Sequence, residues 1–136
     1  MRFETKIAVV LRVDVPIWQR LNMTAFLCSG IAATVNGIIG EPYQDASDQL
    51  YLPMFRQPVL VFRATADEMR RTYERARSRD LRMAIFTDDL FATSHDEANR
   101  AAVRAVASAD LSLSGLALHA DRKAVDAVVK GLALHE

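Results

Sequence analysis

The apolar positions of this chain follow two rhythms in alternation. From Lys6 to Leu11 they run unbroken through Ile7, Ala8, Val9, Val10 and Leu11, too short a run for an isolated helix and suited to a strand covered on both faces. A polar corner at Arg12 to Asp14 follows, then Pro16. Proline's fixed φ and missing N–H fit the first turn of a helix that opens at Asp14 or Val15. From Ile17 onward the rhythm is helical: Leu21, Ala25, Cys28, Ala32 and Val35 recur at three and four, widened by Phe26, Leu27 and Ile31. The spacing predicts a helix that is apolar over most of its girth, packs flat on a sheet, and stops at Asn36 and Gly37.

The same two patterns recur down the chain. Val59 to Phe62 and Met83 to Phe86 read as short buried strands, and Leu111, Leu113, Leu116 and Leu118, with Gly115, as a fourth. Thr65 and Glu68 form a capping box that opens a second helix through Met69, Tyr73 and Ala76 and ends near Asp80. Ser94 and Glu97 are expected to open a third, through Ala98, Ala101, Ala102, Ala105 and Val106. Asp121 caps a last helix bearing Val125, Val128 and Val129 and stopped by Gly131. Four strands alternate with four helices, which predicts an α/β fold of three layers, αβα, with a mixed four-stranded sheet. Residues from Gly40 to Gln57 break the periodicity, yet Leu50, Tyr51, Leu52, Met54 and Phe55 are too apolar for a free linker. An ordered excursion is expected there, serving as a lid or specificity element over a cleft.

At 136 residues the chain is expected to be one domain, 1–136, able to bury roughly two thirds of its unfolded surface without disulfides. A net charge of +0 removes any global attraction to nucleic acid. Arg71, Arg75 and Arg79 share one helix face, but Asp67, Glu68 and Glu74 partly neutralise it, so a solvated face is preferred to a surface for RNA phosphates. The lone Cys28 lies inside an apolar stripe and fits a reducing cytoplasm. Met1 to Thr5 is polar, so no secretory leader is expected, and no run approaches the roughly twenty apolar residues of a membrane span.

In open α/β sheets ligands bind beyond the carboxyl ends of the strands. Arg12 and Asp14 follow the first strand, Arg63 the second, and Asp88 and Asp89 the third. Asp14 and Asp88, two carboxylates from different strands, with Thr93 near in sequence, make the candidate catalytic set for acid/base work. The plainer role is structural: Asp14 capping the first helix, and Asp88 or Asp89 pairing with Arg12 or Arg63. Arg12, Trp18, Asn22 and Thr24 are the candidate ligand-binding set, because a helix N-terminus carrying such groups can hold an anionic or carbonyl group. His95, beside Asp96 and Glu97, reads as a surface residue. His95, His119 and His135 lack the close spacing of zinc ligands, so no metal is expected. The chain has neither GxGxxG nor GxxxxGK[ST], and no cofactor is expected.

KIAVVLRVDV at Lys6 to Val15, QPVLVFRA at Gln57 to Ala64, FTDDL at Phe86 to Leu90, and the tail from Leu116 through AVDAVVKGLAL carry a family likeness. They resemble an uncharacterised bacterial family known only as a domain of unknown function, with a fold related to the type II peptidyl-tRNA hydrolases. WQRLNMTAFL, Trp18 to Leu27, and LFATSHDEANRAAV, Leu90 to Val103, resemble the uncharacterised family more closely. The resemblance implies the peptidyl-tRNA-hydrolase-like three-layer fold and a cleft carried over as Arg12, Asp14 and Asp88. In the hydrolases the first helix supplies a lysine, a glutamine and a histidine to the site; QRLNMTAFLCSGIAA has none of them at a matching place. The first expectation is therefore a cleft that binds an unidentified small molecule or supports an unassigned hydrolytic step. Peptidyl-tRNA hydrolysis is the alternative, and a homodimer packing an alanine-rich helix is the third.

Overall fold

The apolar run after Lys6 becomes the middle of the sheet. The computed structural model describes residues 2–136. Among them the chain forms β1 (Thr5–Arg12), α1 (Ile17–Thr34), β2 (Tyr43–Gln44), β3 (Leu50–Tyr51), β4 (Val59–Ala64), α2 (Ala66–Ser78), β5 (Met83–Thr87), α3 (Asp96–Arg104), β6 (Leu113–Asp121), α4 (Arg122–Val128) and β7 (Ala133–Leu134). Five strands share a mixed sheet in the order β5-β6-β1-β4-β7, while β2 and β3 form a separate hairpin. Only β1 and β4 pair in parallel; β6 runs antiparallel to both β1 and β5, and β7 antiparallel to β4.

Because side chains alternate across a strand, β1 feeds both layers. Ile7, Val9 and Leu11 pack beneath α1 with Met23, Leu27 and Ile31; Ala8 and Val10 face α2 and α4 with Met69, Tyr73, Val125 and Val128. The sheet has five strands, not the expected four. Ala133 and Leu134 are too few to display a period of two, and they become a strand only because β4 offers an open edge, pairing Phe62 with Leu134 and Arg63 with Ala133.

Two further expectations are corrected. The buried stripe of α1 is Met23, Leu27 and Ile31, whereas Leu21 and Ala25 are exposed and Cys28 and Ala32 half-buried. The larger side chains of the inner stripe seat deeply because β6 presents Gly115 opposite them: a Cβ there would lie 2.7 Å from Met23 Sδ and 3.1 Å from Leu27 Cδ1. The caps also shift. Pro16, extended at φ −53 and ψ 147, precedes α1, so Asp14 is not its cap. At α3 the cap is His95, whose Nδ1 accepts from Ala98 N at 3.2 Å, in place of Ser94. The capping box of Thr65 with Glu68 and the Asp121 cap form as expected.

The excursion after Gly40 is ordered by one carboxylate. Asp45 Oδ1 accepts from the Ser47 and Gln49 N–H groups at 2.9 and 3.1 Å, and its Oδ2 accepts from the Tyr51 hydroxyl at 2.7 Å. These bonds hold the Asp45 carboxyl below its ordinary range, the Tyr51 bond contributing most. The hairpin stands exposed on both strands.

Candidate functional site

β1 and β5 both run antiparallel to β6, so they point the same way and end at the same edge of the sheet. With β6 between them their ends are roughly 10 Å apart, two strand spacings. Arg12, the last residue of β1, is long enough to cross that gap. Its Nη2 meets Asp88 Oδ1 at 3.0 Å, its Nη1 donates to the Leu113 carbonyl at 2.8 Å, and its Nε pairs with Asp14 Oδ1 at 2.5 Å. The guanidinium lies over the start of β6, with 14% of its side chain exposed.

Asp88 is positioned by its own backbone, whose N–H donates to the Ser112 carbonyl at 3.0 Å. Ser112 Oγ donates to Oδ2 at 2.6 Å, and Ser114 Oγ donates to Oδ1. Burial alone would raise this carboxyl; the two serine bonds, the Arg12 bond and the Arg12 charge outweigh it and hold Asp88 below the ordinary carboxylate range. Arg12 is the mirror case, its burial outweighed by Asp14 and Asp88, which keep it firmly charged. The buried hydroxyl of Thr87, next in the chain to Asp88, has no hydrogen-bond partner among the described residues.

The candidate residues fall into two groups. Arg12, Asp14 and Asp88 come together. Trp18 and Asn22 are exposed on α1, the helix that covers the opposite face of the sheet from α2, and Thr24 donates to the Arg20 carbonyl at 2.7 Å within its own helix. Thr93 donates within the connection from β5 to α3, where its Oγ1 contacts the Leu90 carbonyl at 2.9 Å and Asn99 Oδ1. Neither Arg12 nor Asp88 bonds to it. Ser112 and Ser114 escaped the sequence reading. Their signal was two hydroxyls at period two in the leucine-rich run that leads into β6.

Beside this cluster lies a cavity of about 190 Å³ lined by Arg12, Ala66, Met69, Arg70, Leu111, Ser112 and Leu113. Asp14 and Asp88 grip Arg12 without lining it. Arg70 is held at the rim by the Ser108 carbonyl, 3.3 Å from both Nη1 and Nη2, and lies over the Tyr73 ring. The first residue of α2, Ala66, forms part of the wall, which places the positive end of that 13-residue helix at the cavity. No group of three or more His, Cys, Asp or Glu side chains suited to a metal occurs among the described residues. No helix among them is long and apolar enough to cross a membrane.

A solved structure of a protein of unknown function from Agrobacterium tumefaciens is similar to this chain. It shares 43% sequence identity at a TM-score of 0.96, covering 99% of this chain and 100% of that one. No curated protein matches the sequence. Residues 5–136 match the family described as Protein of unknown function (DUF2000), and the chain belongs to that family.

Proposed function

We propose that this protein binds a small organic anion at the carboxyl end of β1. The observation that carries the reading is the cavity whose only charged lining groups are Arg12 and Arg70. The two guanidiniums supply N–H donors, Arg12 paired with Asp14 and Asp88 and Arg70 lying 3.9 Å from Glu74, and Met69, Leu111 and Leu113 supply an apolar floor. At about 190 Å³ it has the volume of roughly six waters, the size of a short carboxylic acid or phosphate ester. Asp14 and Asp88 serve as brackets that fix the Arg12 fork. The resemblance to the type II peptidyl-tRNA hydrolases supports the same end of the sheet as the binding edge, and the lone Cys28 suits a cytoplasmic setting.

Binding is favoured over hydrolysis by the state of the carboxylates. A general base works best with a pKa near the working pH. Asp88 is shifted the other way and already accepts from Ser112, Ser114 and Arg12. Thr93 is committed to Leu90 and Asn99.

The reading is tested by calorimetry and thermal melting with a panel of short mono- and dicarboxylates and phosphate esters. A member of the panel at a hundredfold excess over its Kd is expected to add about 2.7 kcal/mol, and Arg70→Gln is expected to abolish the shift with the apo melting point nearly unchanged. A panel without any binder rejects the proposal. Turnover of diacetyl-lysyl-tRNA above buffer rates would favour the hydrolase alternative instead.

A further inference from the structure

The sheet has a second polar corner, at the end away from the Arg12 cluster and on the side that α1 covers. His119 of β6 pairs with Ile7 of β1, and residues directly opposite share a face. Ile7 packs beneath α1, so His119 lies on that face as well. Met83 pairs with Leu118, which brings Arg82, the residue before β5, beside His119. Little bulk fills this border: a Cβ added to Gly30 of α1 would still stand 3.6 Å from the Ala84 Cβ of β5. A cavity of about 260 Å³ results, with Gly30, Thr34, Val35, Arg82, Ala84 and His119 in its lining.

The two walls of the cavity differ in charge. The strand wall carries Arg82 and His119, and neither side chain makes a hydrogen bond or an ion pair among the described residues. Burial alone pulls the His119 imidazole below its ordinary pKa, so near neutral pH one ring nitrogen donates and the other accepts. The helix wall is the last turn of α1. The carbonyls of Ala32, Ala33 and Thr34 accept no backbone N–H among the described residues, and they form the negative end of an 18-residue helix. Neither Asp nor Glu lines the cavity.

We infer that this cavity binds a free amino acid, its carboxylate on Arg82 and His119 and its ammonium on the carbonyl end of α1. A guanidinium fork takes a carboxylate through two parallel hydrogen bonds, and helix C-termini favour cations. A bare anion would meet the negative helix end, and a bare cation the guanidinium; a molecule carrying both charges suits both walls. Size agrees, since about 260 Å³ holds roughly nine waters and falls below the roughly 300 Å³ of the smallest drug-sized pockets. That admits an amino acid and excludes a nucleotide. Ile31, Val35 and Met83 complete the lining with apolar surface for the side chain. The inference does not rest on anion binding beside Arg12, because the two cavities share no residue.

Calorimetry and ¹H–¹³C NMR of the full chain with a panel of free L-amino acids at up to about 10 mM test it. At least one is expected to bind and to move the imidazole signals of His119, identified by their loss in His119→Gln, while those of His95 and His135 stay in place. Arg82→Gln is expected to weaken that binding at least about tenfold, with unchanged far-UV circular dichroism because Arg82 is exposed. The same acid without its amino group is expected to bind at least about tenfold more weakly. Arg70→Gln, which strikes the other cavity, is expected to change nothing. A panel without a binder overturns the inference, as does a binder that leaves His119 unmoved, ignores Arg82→Gln, responds to Arg70→Gln, or binds equally well without its amino group.

Discussion

Arg12 and Asp88 belong to strands that never touch, yet their side chains meet at 3.0 Å across the start of the strand between them. The pair closes the end of the sheet where β1 and β5 finish, and Ser112, just before β6, and Ser114, within it, complete it.

Replacing Asp88 by Asn removes the anion from Arg12 Nη2 and weakens the acceptor for Ser112 and Ser114. Hydrogen bonds to a charged group contribute about 1.5–3 kcal/mol. Because 42% of the Asp88 side chain reaches solvent, the expected loss is about 1–2 kcal/mol. A lower urea midpoint with an unchanged slope is the expected result.

The same carboxylate sets a pH dependence. Its folded pKa is depressed, with burial outweighed by the Ser112, Ser114 and Arg12 interactions. Its stabilisation is therefore fully present above the unfolded value of about 3.9 and is lost as pH falls through the lower folded value. Denaturation of the wild type and Asp88→Asn from neutral pH down to about pH 3 should show a steady gap that narrows only below about pH 4. A gap that does not change with pH would contradict the assignment.

The orientation of α1 predicts unequal leucines. Leu27 is buried under the helix and Leu21 is outside it. Leu27→Ala is expected to cost about 2–5 kcal/mol, and Leu21→Ala, measured on dilute protein, to stay within about 0.5 kcal/mol. Equal losses would mean that the helix is rotated.

Gly115→Ala asks the helix to give way. The new Cβ would meet Met23 Sδ at 2.7 Å, Leu27 Cδ1 at 3.1 Å and the Val10 carbonyl at 3.2 Å. The methionine can move, but the backbone oxygen cannot, so a loss of about 1–3 kcal/mol in melting experiments is expected.

Legibility divided along a physical line. The Thr65 and Glu68 box and the Asp121 cap were readable because each bond is made within three residues. The site was readable only in part. Arg12, Asp14 and Asp88 follow from the rule that strand ends gather ligands, but Trp18, Asn22 and Thr24 do not join them, because α1 turns those residues toward solvent or back on itself. Ser112 and Ser114 reach Asp88 only through the pairing of β5 with β6.

The order of strands and helices was written in the chain, since a buried run at Ile7 to Leu11 or a helical repeat at Met69, Tyr73 and Ala76 is a local property of neighbouring residues. Tertiary structure decided which of two equally spaced stripes of α1 went inward, because that depended on a glycine some ninety positions later on β6 admitting Met23 and Leu27. It also decided that two residues at the tail became a fifth strand and that Arg12 found Asp88. Each of those outcomes needed the free edge or the shared end of a sheet, which exists only once distant strands have paired.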